Sequence, residues 1–127
     1  MRQTVFLIED NEQNRYLTTF LLEKQGYHVV SVQDGPSAIE RTPLLKPDLI
    51  LLDIQLPLMD GYEVARALRQ IDVLRHTPIV AVTSYAMVGD REKCIAAGCD
   101  GYLEKPIDPE TFVTQIEAFL SGSERDA

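Results

Sequence analysis

The chain has little cysteine and no long apolar run. Two cysteines, Cys94 and Cys99, occur among 127 residues, and their spacing is not that of a zinc or Cys-x-x-Cys redox site. We expect both to be small buried or half-buried thiols. No apolar run reaches the roughly 18 residues of a membrane span, and the first residues do not resemble a signal peptide. A cytoplasmic protein without structural disulfides is therefore expected.

Basic residues are also few, since 12 of them face 20 acidic residues and give a net charge of -8. A field of this sign repels polyanions, so we expect no nucleic-acid partner and no membrane partner. A composition of 45% apolar and 25% charged residues is typical of a globular chain. Without repeats or linkers, the sequence predicts one domain at residues 1–121 and a flexible tail at 122–127.

Short apolar runs at residues 5–8, 49–52 and 79–82 predict strands that are buried on both faces. Weaker strands are predicted at 27–32 and 101–104. Segments with helical periodicity separate the strands, among them 36–45, 88–97 and a final helix that starts within 108–110. Five strand-helix units predict a doubly wound α/β fold with a parallel sheet and helices on both faces.

Polar residues follow four of the predicted strands. The carboxyl ends of parallel strands meet at one edge of a sheet, where such folds bind their ligands, so we expect these side chains to converge. They are the acidic pair Glu9 and Asp10, then Asp53, the hydroxyl pair Thr83 and Ser84, and Lys105.

Three carboxylates within about 5 Å would repel one another by roughly 3 kcal/mol a pair at an effective dielectric near 20. A divalent cation offsets this repulsion. Oxygen donors without histidine or cysteine favour Mg²⁺, or Mn²⁺ as its substitute, over zinc. Because Mg²⁺ commonly completes its shell with a phosphate oxygen, the cluster indicates a phosphoryl ligand.

Asp53 is the candidate nucleophile, because it ends the central buried run and its carboxylate can form an acyl phosphate. Lys105 would supply positive charge and Thr83 a hydroxyl donor. The negative charge that a phosphoryl group adds to Asp53 can draw Thr83 and its loop inward. Asp10 or Asp53 taken singly is interpreted as a turn or helix-cap residue, and the combination is what favours a functional site. Gly61, after Asp60, is interpreted as a turn glycine.

Four segments together resemble the receiver domains of two-component response regulators across almost the whole chain. They are the acidic pair in 9–11, the phosphoacceptor loop 51–61, the switch strand 78–83 and the lysine-proline end 102–106. The resemblance implies a flavodoxin-like strand order of 2-1-3-4-5. It also implies that Asp53 is phosphorylated by a sensor histidine kinase or a histidine phosphotransfer protein.

The resemblance extends to individual residues of the metal site. It implies that Asp10, Asp53 and the backbone carbonyl of Gln55 bind Mg²⁺ directly, while Glu9 acts through water. The peptide bond after Lys105 is commonly cis in the family.

The resemblance also implies a switch and a timer. Thr83 and Tyr102 form the hydroxyl-aromatic switch pair. The positions of Gln55 and Tyr85 influence phosphoryl lifetime, and the ring of Tyr85 is expected to shield the acyl phosphate from water and slow its loss.

For partners, the family analogy places the phosphodonor protein near the first helix, residues 14–24, which include Tyr16 and Leu17. The output surface is expected at the fourth helix, last strand and final helix, about 88–120. We expect no DNA-binding or catalytic effector after residue 120, and therefore expect the protein to signal through this surface. It is expected to be a monomer or weak dimer. It is also expected to catalyse only its own phosphorylation and dephosphorylation.

Three other functions compete with this one. An Asp-based, Mg²⁺-dependent phosphatase of the haloacid dehalogenase type needs a second Asp two residues after the nucleophile, where this chain has Gln55. A nucleotide or flavin module needs a Gly- or Ser/Thr-rich phosphate loop after the first strand, where this chain is acidic. A scaffold of the same fold that is not phosphorylated stays open.

Overall fold

The computed structural model describes residues 2–84 and 88–121, and in them strands and helices alternate. None of the described helices is long and apolar enough to span a bilayer. The elements are β1 (Thr4–Ile8), α1 (Glu12–Lys24), β2 (His28–Val32), α2 (Gly35–Leu45), β3 (Leu49–Asp53), α3 (Gly61–Arg69), a 3₁₀ turn (Asp72–Leu74), β4 (Ile79–Thr83), α4 (Asp90–Ala96), β5 (Gly101–Glu104) and α5 (Phe112–Ser121).

The five strands form one sheet in the order β2-β1-β3-β4-β5, and every neighbouring pair is parallel. The predicted α/β class and strand order are thus confirmed. The order reverses direction between β1 and β3, where Ile8 lies beside Leu52. The residues that follow these two strands therefore emerge side by side, at the point where ligand sites of such sheets form.

Helices cover both faces of the sheet, which explains the uninterrupted apolar runs. In β1, Val5 and Leu7 pack with α1 and α5, whereas Phe6 and Ile8 pack with α2, α3 and α4. Successive strand residues point to opposite faces, so a strand covered on both sides has no position for a solvated side chain. All five residues of β3 are buried, and so are all five of β4.

Two helix starts differ from the prediction by two residues or more. The fourth helix begins at Asp90 rather than at 88, because Gly89 has a φ of 91° and a left-handed residue cannot continue a right-handed helix. The last helix begins at Phe112, after a turn in which the N–H groups of Thr111 and Phe112 both donate to the carbonyl of Asp108. The predicted tail at 122–127 lies outside the described residues.

Arg69, the last residue of α3, joins the sheet to the helices at the edge opposite the polar strand ends. Its guanidinium donates twice to the Gly98 carbonyl and pairs with Asp100 at 2.9 Å. Asp100 in turn accepts the N–H of Ile79 at the start of β4. The same guanidinium donates to three carbonyls of the connection before β4, those of Leu74, Arg75 and Thr77. One side chain thus fixes the end of α4 and the start of two strands. The two cysteines nearby are buried and free, as predicted.

We expect Arg69→Met to lower the free energy of unfolding by about 2–3 kcal/mol, because it leaves several part-buried carbonyls and Asp100 without their donor. Arg75→Met is the matched control, since that side chain is 66% exposed and pairs with an exposed Asp72. The control should change stability by less than about 0.5 kcal/mol. Urea denaturation measures both free energies of unfolding. A loss for Arg69→Met as small as that of the control would show that the Arg69 network is not stabilising.

Candidate functional site

Three carboxylates meet where β1 and β3 end. Glu9 and Asp10 follow β1, and Asp53 is the last residue of β3. One oxygen of each lies within 4.8 Å of the others. Glu9 and Asp53 are each 4% exposed, whereas Asp10 is exposed. The sheet register forces this convergence, because β1 and β3 are adjacent and end level with each other.

Lys105 brings a positive charge into the carboxylates from the far side of β4. Its Nζ lies 2.8 Å from Oε1 of Glu9 and 3.3 Å from Oδ2 of Asp53. Its backbone N–H donates to the carbonyl of Thr83 at 2.8 Å, which holds the residue against the end of β4. The peptide bond between Lys105 and Pro106 is cis, as predicted.

Burial, together with the charges in this cluster, shifts the pKa of Asp53. Burial raises the pKa of the Asp53 carboxyl to about 7, and the neighbouring Glu9 carboxyl adds to the rise. The ammonium of Lys105 and the backbone N–H of Gln55 act in the opposite direction and lower it. One ammonium does not balance three carboxylates, so the site favours an added cation or a proton.

The donor set fits Mg²⁺. All three candidate ligands are carboxylate oxygens that lie close enough to share one ion, and no histidine or cysteine belongs to the described cluster. Asp10 is exposed, so an ion with several waters can reach the group from solvent.

Gln55 connects Asp53 to the end of β4. Its backbone N–H donates to Oδ1 of Asp53 at 3.0 Å. Its side-chain Nε2 donates to Oγ1 of Thr83 at 2.7 Å, and its Oε1 accepts the N–H of Ser84 at 3.3 Å. Thr83 is buried, 2% exposed. The sequence pattern did not predict these side-chain bonds, because 28 residues separate Gln55 from Thr83 and only the pairing of β3 with β4 brings them together.

Of the two predicted tyrosines, Tyr102 and Tyr85, the structure describes only Tyr102. Tyr102 is half-buried at the register position beside Ala81 and packs on the side of the sheet that α2, α3 and α4 cover. Burial raises the pKa of its phenol, and Asp90 of α4 adds to the rise. Tyr85 lies outside the described residues.

Gly61 has a different role from the turn glycine that was predicted. Its φ is not in the left-handed region, and it is the first residue of α3. A Cβ at this position would lie 2.6 Å from the Cα of Ile54 and 2.7 Å from the carbonyl oxygen of Asp53. A glycine is needed because the start of α3 packs directly on the backbone that follows β3.

Comparison with known proteins identifies relatives along almost the whole chain. The family model of the response regulator receiver domain matches residues 5–117. Two relatives, from Brucella anthropi and Brucella ovis, are both named polar-differentiation response regulator DivK. The chain is 42% and 41% identical to them over 123 residues, which are 97% of this chain and 100% of each relative.

Solved structures give the same result. The receiver domain of a sensor histidine kinase from Pseudomonas aeruginosa PAO1 is 35% identical, with a TM-score of 0.88 over 95% of this chain and 99% of that one. A magnesium ion is coordinated in the active site cleft of that protein. The chemotaxis response regulator CheY4 of Vibrio cholerae is 27% identical, with a TM-score of 0.89 over 94% of this chain and 99% of that one.

The metal-free protein should lose stability as the pH rises from about 4 to about 7. The folded pKa of Asp53 is about 7, whereas an aspartate in an unfolded chain titrates near pH 4. Between these values the folded state binds more protons than the unfolded state, so the free energy of unfolding falls as the pH increases.

Urea denaturation in excess chelator, carried out across this pH range, measures the effect. Asp53→Asn is the control, because an amide cannot titrate and should remove this part of the pH dependence. Identical pH profiles for the two proteins would contradict the raised pKa of Asp53.

Proposed function

The chain belongs to the family of response regulator receiver domains, and on that premise we propose that Asp53 accepts a phosphoryl group from a sensor histidine kinase or a histidine phosphotransfer protein. The observation that carries the proposal is the position of Lys105. Its ammonium contacts Glu9 and Asp53 in a cluster that already contains three carboxylates. A phosphoryl group on Asp53 would bring negative charge to a place where a cation and a lysine can neutralise it.

The chemistry follows from the position of Asp53. A carboxylate oxygen attacks the phosphorus of the donor, a P–O bond forms, and the bond from phosphorus to the donor nitrogen breaks. Lys105 offsets charge on the phosphoryl oxygens, and the Gln55 N–H on Oδ1 orients the carboxylate. Mg²⁺, or Mn²⁺ in its place, would be held by Asp10, Asp53 and the Gln55 carbonyl, with Glu9 acting through water, and would supply further positive charge there.

The phosphorylated state is read out at the surface of α4, β5 and α5. Thr83 and Tyr102 are the proposed switch pair, in which Thr83 moves toward the phosphoryl group and Tyr102 follows. A downstream protein that prefers the new surface is then recruited by population shift. Ile95 on α4, 55% exposed, is one apolar contact available to it. We propose that this recruitment takes place in the cytoplasm. The chain acts there as a monomer or weak dimer.

Gln55 argues against a phosphatase that acts on other substrates. Such an enzyme needs an acid two residues beyond Asp53, and Gln55 instead carries a carboxamide that is bonded to Thr83 and Ser84. An unphosphorylated scaffold is the remaining alternative, and the experiment below separates it from the receiver function.

The phosphodonor protein is proposed to dock on α1. Tyr16 and Phe20 are 73% and 52% exposed, and their rings stack at 6.5 Å. Arg15, the residue directly before Tyr16, donates to the backbone carbonyls of Glu9 and Asp10 at 3.0 and 3.2 Å. The exposed aromatic pair is therefore tied to the residues that begin the site.

Incubation with acetyl phosphate and Mg²⁺ should increase the intact mass by one phosphoryl group. The increase should disappear in excess chelator and in Asp53→Asn, because the reaction needs both the metal and the nucleophile. Asp10→Asn should reduce it. Absence of labelling under every condition would favour the unphosphorylated scaffold.

Tyr16→Ala should slow phosphoryl transfer from a phosphorylated histidine phosphotransfer protein by about tenfold, the usual size of losing an aromatic contact at an interface. Labelling by acetyl phosphate should not change, since the small donor needs no docking surface. Leu44→Ala is the matched control, because Leu44 is 81% exposed on α2, across the sheet from α1. Equal transfer rates in the three proteins would exclude docking on Tyr16.

A further inference from the structure

The side chain of Gln55 binds two consecutive residues at the end of β4. Ser84 N–H can only donate, so the carbonyl oxygen of the Gln55 amide faces Ser84 and the NH₂ group faces Thr83. The same residue donates its backbone N–H to Asp53. Gln55 therefore touches the acceptor carboxylate with its main chain and the switch residue with its side chain.

These bonds engage groups that a phosphoryl group on Asp53 would need. Phosphoryl oxygens only accept hydrogen bonds, so they require N–H and O–H donors around them. The single hydrogen of the Ser84 N–H already points to Gln55 Oε1. A phosphoryl oxygen can take that hydrogen only after the carboxamide has moved away.

Thr83 is restrained by the second bond. Its Oγ1 accepts from Nε2 of Gln55 at 2.7 Å, a short bond that holds the buried hydroxyl oxygen where it lies. An inward movement of Thr83 toward Asp53 lengthens or breaks this bond. A contact made in one of two states stabilises that state relative to the other.

We infer that the Gln55 carboxamide is a latch that holds the end of β4 in the unphosphorylated arrangement and that phosphorylation must release. This inference rests on the proposed function, since it assigns Gln55 a role in the switching of the same site. The latch weakens the response to phosphorylation, because part of the free energy gained by the phosphoryl group is used to displace the carboxamide. Displacement of the amide breaks its bonds to Thr83 and to Ser84 together, since one carboxamide makes both.

The test is the affinity of the full chain for beryllofluoride, a phosphoryl mimic, in the presence of Mg²⁺. Gln55→Met keeps the length of the side chain and the backbone carbonyl but removes both side-chain bonds. It should bind beryllofluoride about three- to tenfold more tightly than the wild type, the effect expected for one or two hydrogen bonds made by an exposed side chain. Gln70→Met makes the same chemical change at an exposed glutamine at the end of α3 and should bind like the wild type.

A double-mutant cycle shows whether Gln55 acts through Thr83. In Thr83→Val the hydroxyl is absent, so the gain from Gln55→Met should shrink in that background. The amide resonance of Ser84, recorded without beryllofluoride, should also shift in Gln55→Met and stay in place in Gln70→Met.

The outcomes separate the two hypotheses. Failure of the wild type to bind beryllofluoride would overturn the proposed function. Binding by the wild type with equal or weaker binding by Gln55→Met, an unchanged gain in the Thr83→Val background, or an unmoved Ser84 resonance would overturn the latch and leave the receiver function intact.

Discussion

The salt bridges of Lys105 are the interaction on which the rest of the site depends. Glu9 and Asp53 are buried side by side at the ends of β1 and β3, and two carboxylates so placed repel each other strongly. The ammonium that contacts both comes from the residue after β5, at the opposite edge of the sheet from β2. The charge balance of the site therefore requires the whole sheet to be assembled, because β4 lies between the lysine and its partners.

The charges of these residues do not cancel. Three carboxylates and one ammonium leave room for a cation. In the metal-free protein, burial first and the Glu9 carboxyl second raise the pKa of Asp53. A phosphoryl group and a divalent cation satisfy the cluster together better than either does alone, since each neutralises the other. Gln55 adds mechanical coupling to this electrostatic site, because it links Asp53 with the end of β4. Asp53, the proposed phosphoacceptor, and Thr83, the proposed switch residue, are thus connected through one residue, by its main chain and its side chain.

Much of the fold was predictable because the burial of a segment determines the pattern of apolar residues along it. Runs such as 49–52 are apolar at every position only when both faces of a strand are covered, and Asp53 was recognisable as the polar residue that ends such a run. Helix ends were less predictable. Helix α4 begins two residues after its predicted start, because Gly89 has a left-handed φ. A glycine is required at position 61 by the close approach of Ile54 and not by a turn. Both depend on backbone geometry that residue type alone does not specify.

The sequence by itself determined the alternation of strands and helices, the parallel sheet, and the set of acidic, hydroxyl and lysine residues that end four strands, because these follow from local periodicity and from residue chemistry. Only the tertiary structure decided which of those residues touch. The ion pairs of Lys105 with Glu9 and Asp53 join positions far apart in the chain. So do the hydrogen bonds of the Gln55 amide to Thr83 and Ser84. Such contacts are created by strand order and register, and no pattern within one segment encodes the distance between two others.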